Sequence, residues 1–124
     1  MIDINVKVYS ITPVPAPRMT VRDRWGTNQR PCVQRYFAFK DKVKELNIQV
    51  YEKTKITFFM PMPHSWSEKK KGKHYLEPHK KTPDIDNLIK ALLDATLKND
   101  SHIWQIEAKK IWSDSGLITI EELK

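Results

Sequence analysis

The stretch Asp84 to Lys98, inside the string KTPDIDNLIKALLDATLKNDSHIWQ (Lys81 to Gln105), constrains this chain more than any other part of it. Ile85, Leu88, Ile89, Leu92, Leu93 and Thr96 fall on one side at helical spacing. Asp86, Asn87, Lys90 and Asp94 share the other, within roughly 100° when each residue advances the helix by about 100°. The spacing predicts an amphipathic helix over 84–98 whose apolar side must be covered by another layer. Thr82 or Asp84 can cap it, Pro83 suits its first turn, and Asn99 and Asp100 end it.

The flanks supply that layer. Ile2 to Ile11 alternates, with Ile2, Ile4, Val6, Val8 and Ser10 on one side and Asp3, Asn5, Lys7 and Tyr9 on the other, and reads as a half-buried strand. Pro13, Pro15 and Pro17 then make an extended connector, since proline forbids both ladder pairing and regular helix. From Arg18 to Arg35 the chain carries Arg18, Arg22, Arg24, Arg30 and Arg35 around Trp25 and Gly26, which suits either phosphate contact and base stacking or an exposed hairpin. Tyr36 to Leu46 places Phe39, Val43 and Leu46 on one helical stripe. Ile48 to Met60 alternates as one long strand or two short ones. Strands are also expected from His102 to Lys110 and from Gly116 to Glu122.

Between them lies PMPHSWSEKKKGKHYLEPHKKTP, residues 61–83, which reads as a long, flexible basic loop. Lys69, Lys70, Lys71, Lys73, Lys80 and Lys81 crowd it, and they form either a solvated face or a grip on phosphates. His64, His74 and His79 are separated by ten and five residues and match no common metal pattern. The fold class expected is α/β (α+β): a small mixed β-sheet packed with about two helices, in a single domain over 1–124.

Charge narrows the partner. The chain of 124 residues has a formal net charge of +7, which favours a polyanion through counterion release, although charge also keeps proteins soluble. Cys32 is the single cysteine, so neither an intrachain disulfide nor a cysteine-based zinc site can form. The N-terminal MIDINVKVYS lacks a secretory apolar core, and no run approaches the roughly 20 apolar residues of a membrane span. A soluble, cytoplasmic protein with no membrane partner is expected.

Against this basic background, Asp84, Asp86 and Asp100 stand out. Clustered carboxylates need a cation to offset them, and Mg²⁺ takes hard oxygen ligands of this kind, often one or two carboxylates with water and phosphate oxygens. The same residues also suit first-turn acids that complement the helix dipole, followed by an ordinary turn. Asp84 and Asp86 do not face each other on a continuous helix, so they converge only if Asp84 precedes the first turn. Asp100 is about 14 residues from Asp86, roughly 21 Å along a straight axis. It reaches the same site only if the helix ends before Thr96 and the chain folds back, or if a partner subunit supplies it.

The full string PDIDNLIKALLDA followed by NDSHI resembles the RusA family of Holliday-junction resolvases. The family pattern is D-x-D-N-x-x-K on a helix that continues to an aspartate–alanine pair, then an acidic pair and an apolar strand. Asp84, Asp86, Asn87, Lys90, Asp94 and Asp100 occupy the matching positions. The strong match runs from about Thr82 to Ile106, with PAPRMT and ITIEE agreeing more loosely. Two departures are visible. Asn99 stands first in the usual acidic pair, which lowers the site charge by one, and His102 stands where the family often has Gln.

The resemblance implies a homodimer that binds four-way DNA junctions and makes paired nicks with Mg²⁺, Mn²⁺ being the alternative cation. It implies Asp84, Asp86 and Asp100 as metal-binding catalytic carboxylates and Lys90 as a catalytic or substrate-contacting lysine, with Asn87 and Asn99 as neutral ligands or orienters. Arg18, Arg22, Arg24 and Lys69, Lys70, Lys71, Lys73, Lys80 and Lys81 would grip backbone phosphates, which position DNA without reading its sequence. The competing readings are a nucleic-acid-binding module without catalysis and a nuclease acting on flaps or forks.

Overall fold

The computed structural model describes residues 6–20, 29–96 and 101–124. Among these, four strands and three helices follow in the order β1 (Val6–Tyr9), α1 (Pro31–Glu45), β2 (Lys53–Pro61), α2 (Glu68–His74), α3 (Ile85–Thr96), β3 (Gln105–Ser113) and β4 (Leu117–Glu122). The sheet order is β1-β4-β2-β3. β4 is antiparallel to both β1 and β2, and β2 is parallel to β3, so the α+β class with a mixed sheet is as expected.

Both long helices lie on one face of this sheet. Ile56, Phe58 and Met60 of β2 and Ile118 and Ile120 of β4 meet Tyr36, Phe39 and Val43 of α1 and Leu88, Ala91, Leu92 and Ala95 of α3 in one buried core. Every second residue of β2 and β4 therefore points at the helices. The same rule settles β1. Lys7 and Tyr9 sit opposite Ile120 and Ile118, whereas Val6 and Val8 sit opposite Glu121 and Thr119. Directly paired residues share a face, so Tyr9 joins the core, while Val6 and Val8 are 40% and 62% exposed on the uncovered side. The alternation read from the sequence holds over Val6–Tyr9, Ile2 to Asn5 of the expected strand lying outside the described residues, but the side that carries Tyr9 faces inward.

α1 begins five residues earlier than its apolar stripe suggests. Pro31 occupies the first turn, where its missing N–H costs nothing, and Val33 and Tyr36 extend the buried face. Its end explains why Ile48 and Val50 are not strand residues. Asn47 adopts φ 53°, its N–H reaches the Lys44 carbonyl at 3.1 Å, and the Ile48 N–H reaches the Val43 carbonyl at 3.2 Å. That is a Schellman C-cap, and Ile48 is the apolar residue that packs back on the helix it closes.

The stretch 61–83, expected as a flexible loop, follows a hydrogen-bonded path. Ser67 accepts the Lys70 N–H at 3.1 Å and caps α2, with Glu68 in its first turn and Lys71, Lys73 and His74 in its last, matching the helix dipole. The chain then runs antiparallel along the open edge of β3, through Leu76 N–H to Trp112 O, Trp112 N–H to Glu77 O and His79 N–H to Lys110 O. α3 follows, and it continues through Thr96, so it does not end early.

Gly116 precedes β4 against the connector from β1. A Cβ there would lie 2.6 Å from the Thr12 Cα, a backbone atom that cannot swing aside. Gly116→Ala is expected to lower unfolding free energy by about 1–3 kcal/mol, read as a shift in the urea midpoint at unchanged slope.

Candidate functional site

α3 carries the site because of how its N-terminus is delivered. Lys110 lies on the core-facing side of β3, alternating with Ala108 and Trp112. Its Nζ donates to the carbonyls of Lys81 and Pro83, each at 2.5 Å. An ammonium shared by two carbonyls makes charge-assisted bonds. It clamps the turn on which Asp84 stands, one residue before the helix.

Asp84 is therefore outside the first turn, as convergence with Asp86 requires, and its carbonyl accepts the Leu88 N–H at 3.2 Å. Pro83 lies before Asp84 instead of inside the first turn. Asp86 sits in that turn, where the helix dipole favours a negative charge. Both side chains are exposed, and among the described residues neither carboxylate has an ion pair or hydrogen bond. Asn87 is half-buried beside them, and its carbonyl accepts the Ala16 N–H at 3.1 Å, so the proline-led connector braces this first turn. Two carboxylates and an amide at one helix end offer hard oxygen donors, a kind that suits Mg²⁺ or Mn²⁺ and not a soft metal.

Asp100 and Asn99 lie outside the described residues, as do Arg22 and Arg24. Among the described residues no group of three or more His, Cys, Asp and Glu side chains is placed to hold a metal. The structure brings Asp84 and Asp86 to one helix end.

Lys90 does not pair with Asp86. Its Nζ lies 3.4 Å from Asp94 Oδ2, one turn further along. Asp94 also accepts the Tyr36 hydroxyl at 3.2 Å. Burial, then the charge of Asp94 and this hydrogen bond, push the Tyr36 phenol up to about 12. An exposed i,i+4 pair contributes only about 0.3–0.5 kcal/mol, so a phosphate can draw the Lys90 ammonium from Asp94 at little cost.

The basic residues divide. Lys70, Lys80 and Lys81 line one groove of about 550 Å³, together with Trp66, His74 and Trp112. Lys69, Lys71 and Lys73 are outside it, and Lys71 pairs with Glu68 at 3.8 Å. Arg18 is exposed on the connector, where its carbonyl accepts from the Arg30 guanidinium at 2.6 Å. Lys110 and the tryptophan-lined groove escape a reading by motif. The available signal for Lys110 was a lysine at an inward position of an alternating strand.

His79 is buried against Trp112, with ring centroids 4.1 Å apart and its Nδ1 without a partner. Burial first, and the nearby Lys110 charge second, hold its pKa below the ordinary 6.5.

A sequence model described as Endodeoxyribonuclease RusA matches residues 10–121 of the chain. No curated protein matches it significantly. No helix among the described residues is long and apolar enough to cross a membrane.

Two outcomes are expected from this arrangement. Lys110→Met removes the clamp and lowers stability by about 1.5–3 kcal/mol, measured by urea unfolding. His79 stays neutral in the fold while the unfolded chain takes up a proton below pH 6.5. Stability is therefore full above that value and falls as the pH drops beneath it. The decline is smaller in His79→Phe, compared with the parent by urea midpoints at about pH 7.5 and about pH 5.

Proposed function

The chain belongs to the RusA family of endodeoxyribonucleases, and from that premise we propose that it is a Mg²⁺-dependent nuclease that resolves four-way DNA junctions by paired symmetric nicks. The observation that carries the reading is the pair Asp84 and Asp86, exposed and without partners among the described residues at the N-terminus of α3, in a chain of net charge +7. Carboxylates left uncompensated in a basic protein suit a site completed by a divalent cation. In the same reading Asp100 supplies the third carboxylate, and Asn87 and Asn99 act as neutral ligands or orienters.

Asp84 and Asp86 would hold a divalent cation, which when bound would supply Lewis-acid polarisation of the scissile phosphate and a more acidic water. The chain's own groups do the rest. Asp84 and Asp86 would anchor the cation at the start of α3, and the Lys110 clamp holds the turn before Asp84. Lys90 leaves Asp94 for the phosphate and offsets charge that builds on its oxygens during the displacement. Tyr36 keeps Asp94 oriented, so the lysine has a defined resting place one turn from the carboxylates. Arg18, Arg22, Arg24 and the lysines of 69–81 hold neighbouring phosphates, giving binding that weakens steeply with salt. A single site makes one nick, so two symmetric nicks require a homodimer whose two-fold axis matches that of the junction.

The test is cleavage of a synthetic mobile four-way junction. Paired nicks at symmetric positions are expected with Mg²⁺ and none with EDTA. Asp84→Asn and Asp86→Asn each slow cleavage about 100-fold or more, while junction binding in EDTA persists. Undiminished cleavage by Asp84→Asn removes the metal-site reading. Equal rates on linear duplex, or faster cutting of flaps, remove the junction-resolving one.

A further inference from the structure

The groove that leads along the chain to Asp84 has a composition that phosphate gripping alone does not require. Trp66 and Trp112 lie with ring centroids 4.8 Å apart, and His74 lies 4.8 Å from Trp66. Trp112 is 7% exposed and forms the floor, whereas Trp66 is half-buried and presents ring surface to the groove. Lys70 Nζ lies 4.3 Å from the centre of the Trp66 ring. Lys80 and Lys81 also line it, four and three residues before Asp84 in the chain. The aromatic cluster tethers α2 to the sheet, yet a purely structural cluster would close on itself. This one leaves a space of about 550 Å³ open, within the range of about 300–1,000 Å³ typical of pockets for small organic groups.

An aromatic ring at the wall of a lysine-lined groove matches the chemistry of an unstacked nucleobase with its phosphates. Base–aromatic stacking tolerates any base and is stronger than an exposed ammonium–ring contact. An incoming base can thus displace Lys70 from Trp66, and the freed ammonium remains within reach of the adjoining phosphate. Lys81 is three residues from Asp84, at most about 11 Å of chain, and Lys110 holds that segment in place.

We propose that the Trp66–Trp112–His74 groove receives one unstacked nucleobase of the strand bound at Asp84 and Asp86, with Lys70, Lys80 and Lys81 on its flanking phosphates. The register to the cut phosphate, about one or two nucleotides, rests on the function proposed above, but the pocket's affinity for a base does not. In this arrangement the groove positions the strand and is where a base preference at the cut arises.

The test needs no cleavage. The full chain in EDTA is titrated with a thymidine oligonucleotide of about eight units and with an abasic sugar-phosphate strand of the same length, followed by anisotropy and tryptophan fluorescence. The base-bearing strand is expected to bind about 5- to 100-fold more tightly and to quench emission. Trp66→Leu abolishes both the preference and its share of the quenching. Lys80→Ala with Lys81→Ala weakens both strands alike. Thermal melting of each variant verifies that the fold is intact. Equal affinity for the two strands, or an undiminished preference in folded Trp66→Leu, overturns the proposal. A base preference in a protein that cuts no junction with Mg²⁺ leaves the pocket standing and removes the junction-resolving reading, whereas junction cutting without a base preference does the reverse.

Discussion

β2 and β3 run parallel and side by side, which obliges the chain to cross over between Pro61 and Gln105 before it can pair again. Asp84, Asp86, Lys90 and the groove lysines all lie on that crossover. It leaves the end of β2, forms α2, follows the open edge of β3, and turns into α3 at Asp84. The turn is anchored by Lys110, a residue of the strand the crossover leads to. Strand pairing thus seats the basic groove on β3, and one lysine of that strand holds the turn that links the groove to the acidic helix end.

Charge is distributed along this path with a consistent logic. Asp94, deeper along α3, is engaged by Tyr36 and Lys90, while Asp84 and Asp86 face solvent without partners among the described residues. Compensation is thus given to the acid that packs against α1 and withheld from the pair at the helix end. Lys110 directs its ammonium to backbone carbonyls, so it holds the turn before Asp84 without pairing with Asp84 or Asp86. The cost appears at His79, where burial and the same lysine disfavour protonation.

Legibility varied with the kind of signal. α3 was readable because an amphipathic repeat over three turns has one plausible partner, a sheet face, and its aspartates belong to a long motif. β4 was readable from strict alternation around Ile118 and Ile120. β1 was readable as a strand but not in orientation, because Val6 and Val8 match a buried pattern while pairing register turns Tyr9 inward. The start of β2 was obscured by Ile48, whose apolar side chain belongs to the closure of α1. α2 was missed because it buries no residue of its own and contains Gly72, so its cap at Ser67 and its end charges were the only cues.

The sequence by itself determined the helix that bears the carboxylates, the basic character of its neighbourhood and the family motif, because periodicity, net charge and residue spacing are properties of the chain. Only the tertiary structure decided that Lys110 reaches back to the turn before Asp84, that Lys90 rests on Asp94, and that Trp66, His74 and Trp112 gather into an open groove. The Lys90–Asp94 pair is one helical turn, but the other contacts join residues up to 46 positions apart (Trp66 to Trp112), and they exist because parallel pairing of β2 with β3 brings the start of the crossover alongside the strand that ends it. No local pattern encodes that proximity.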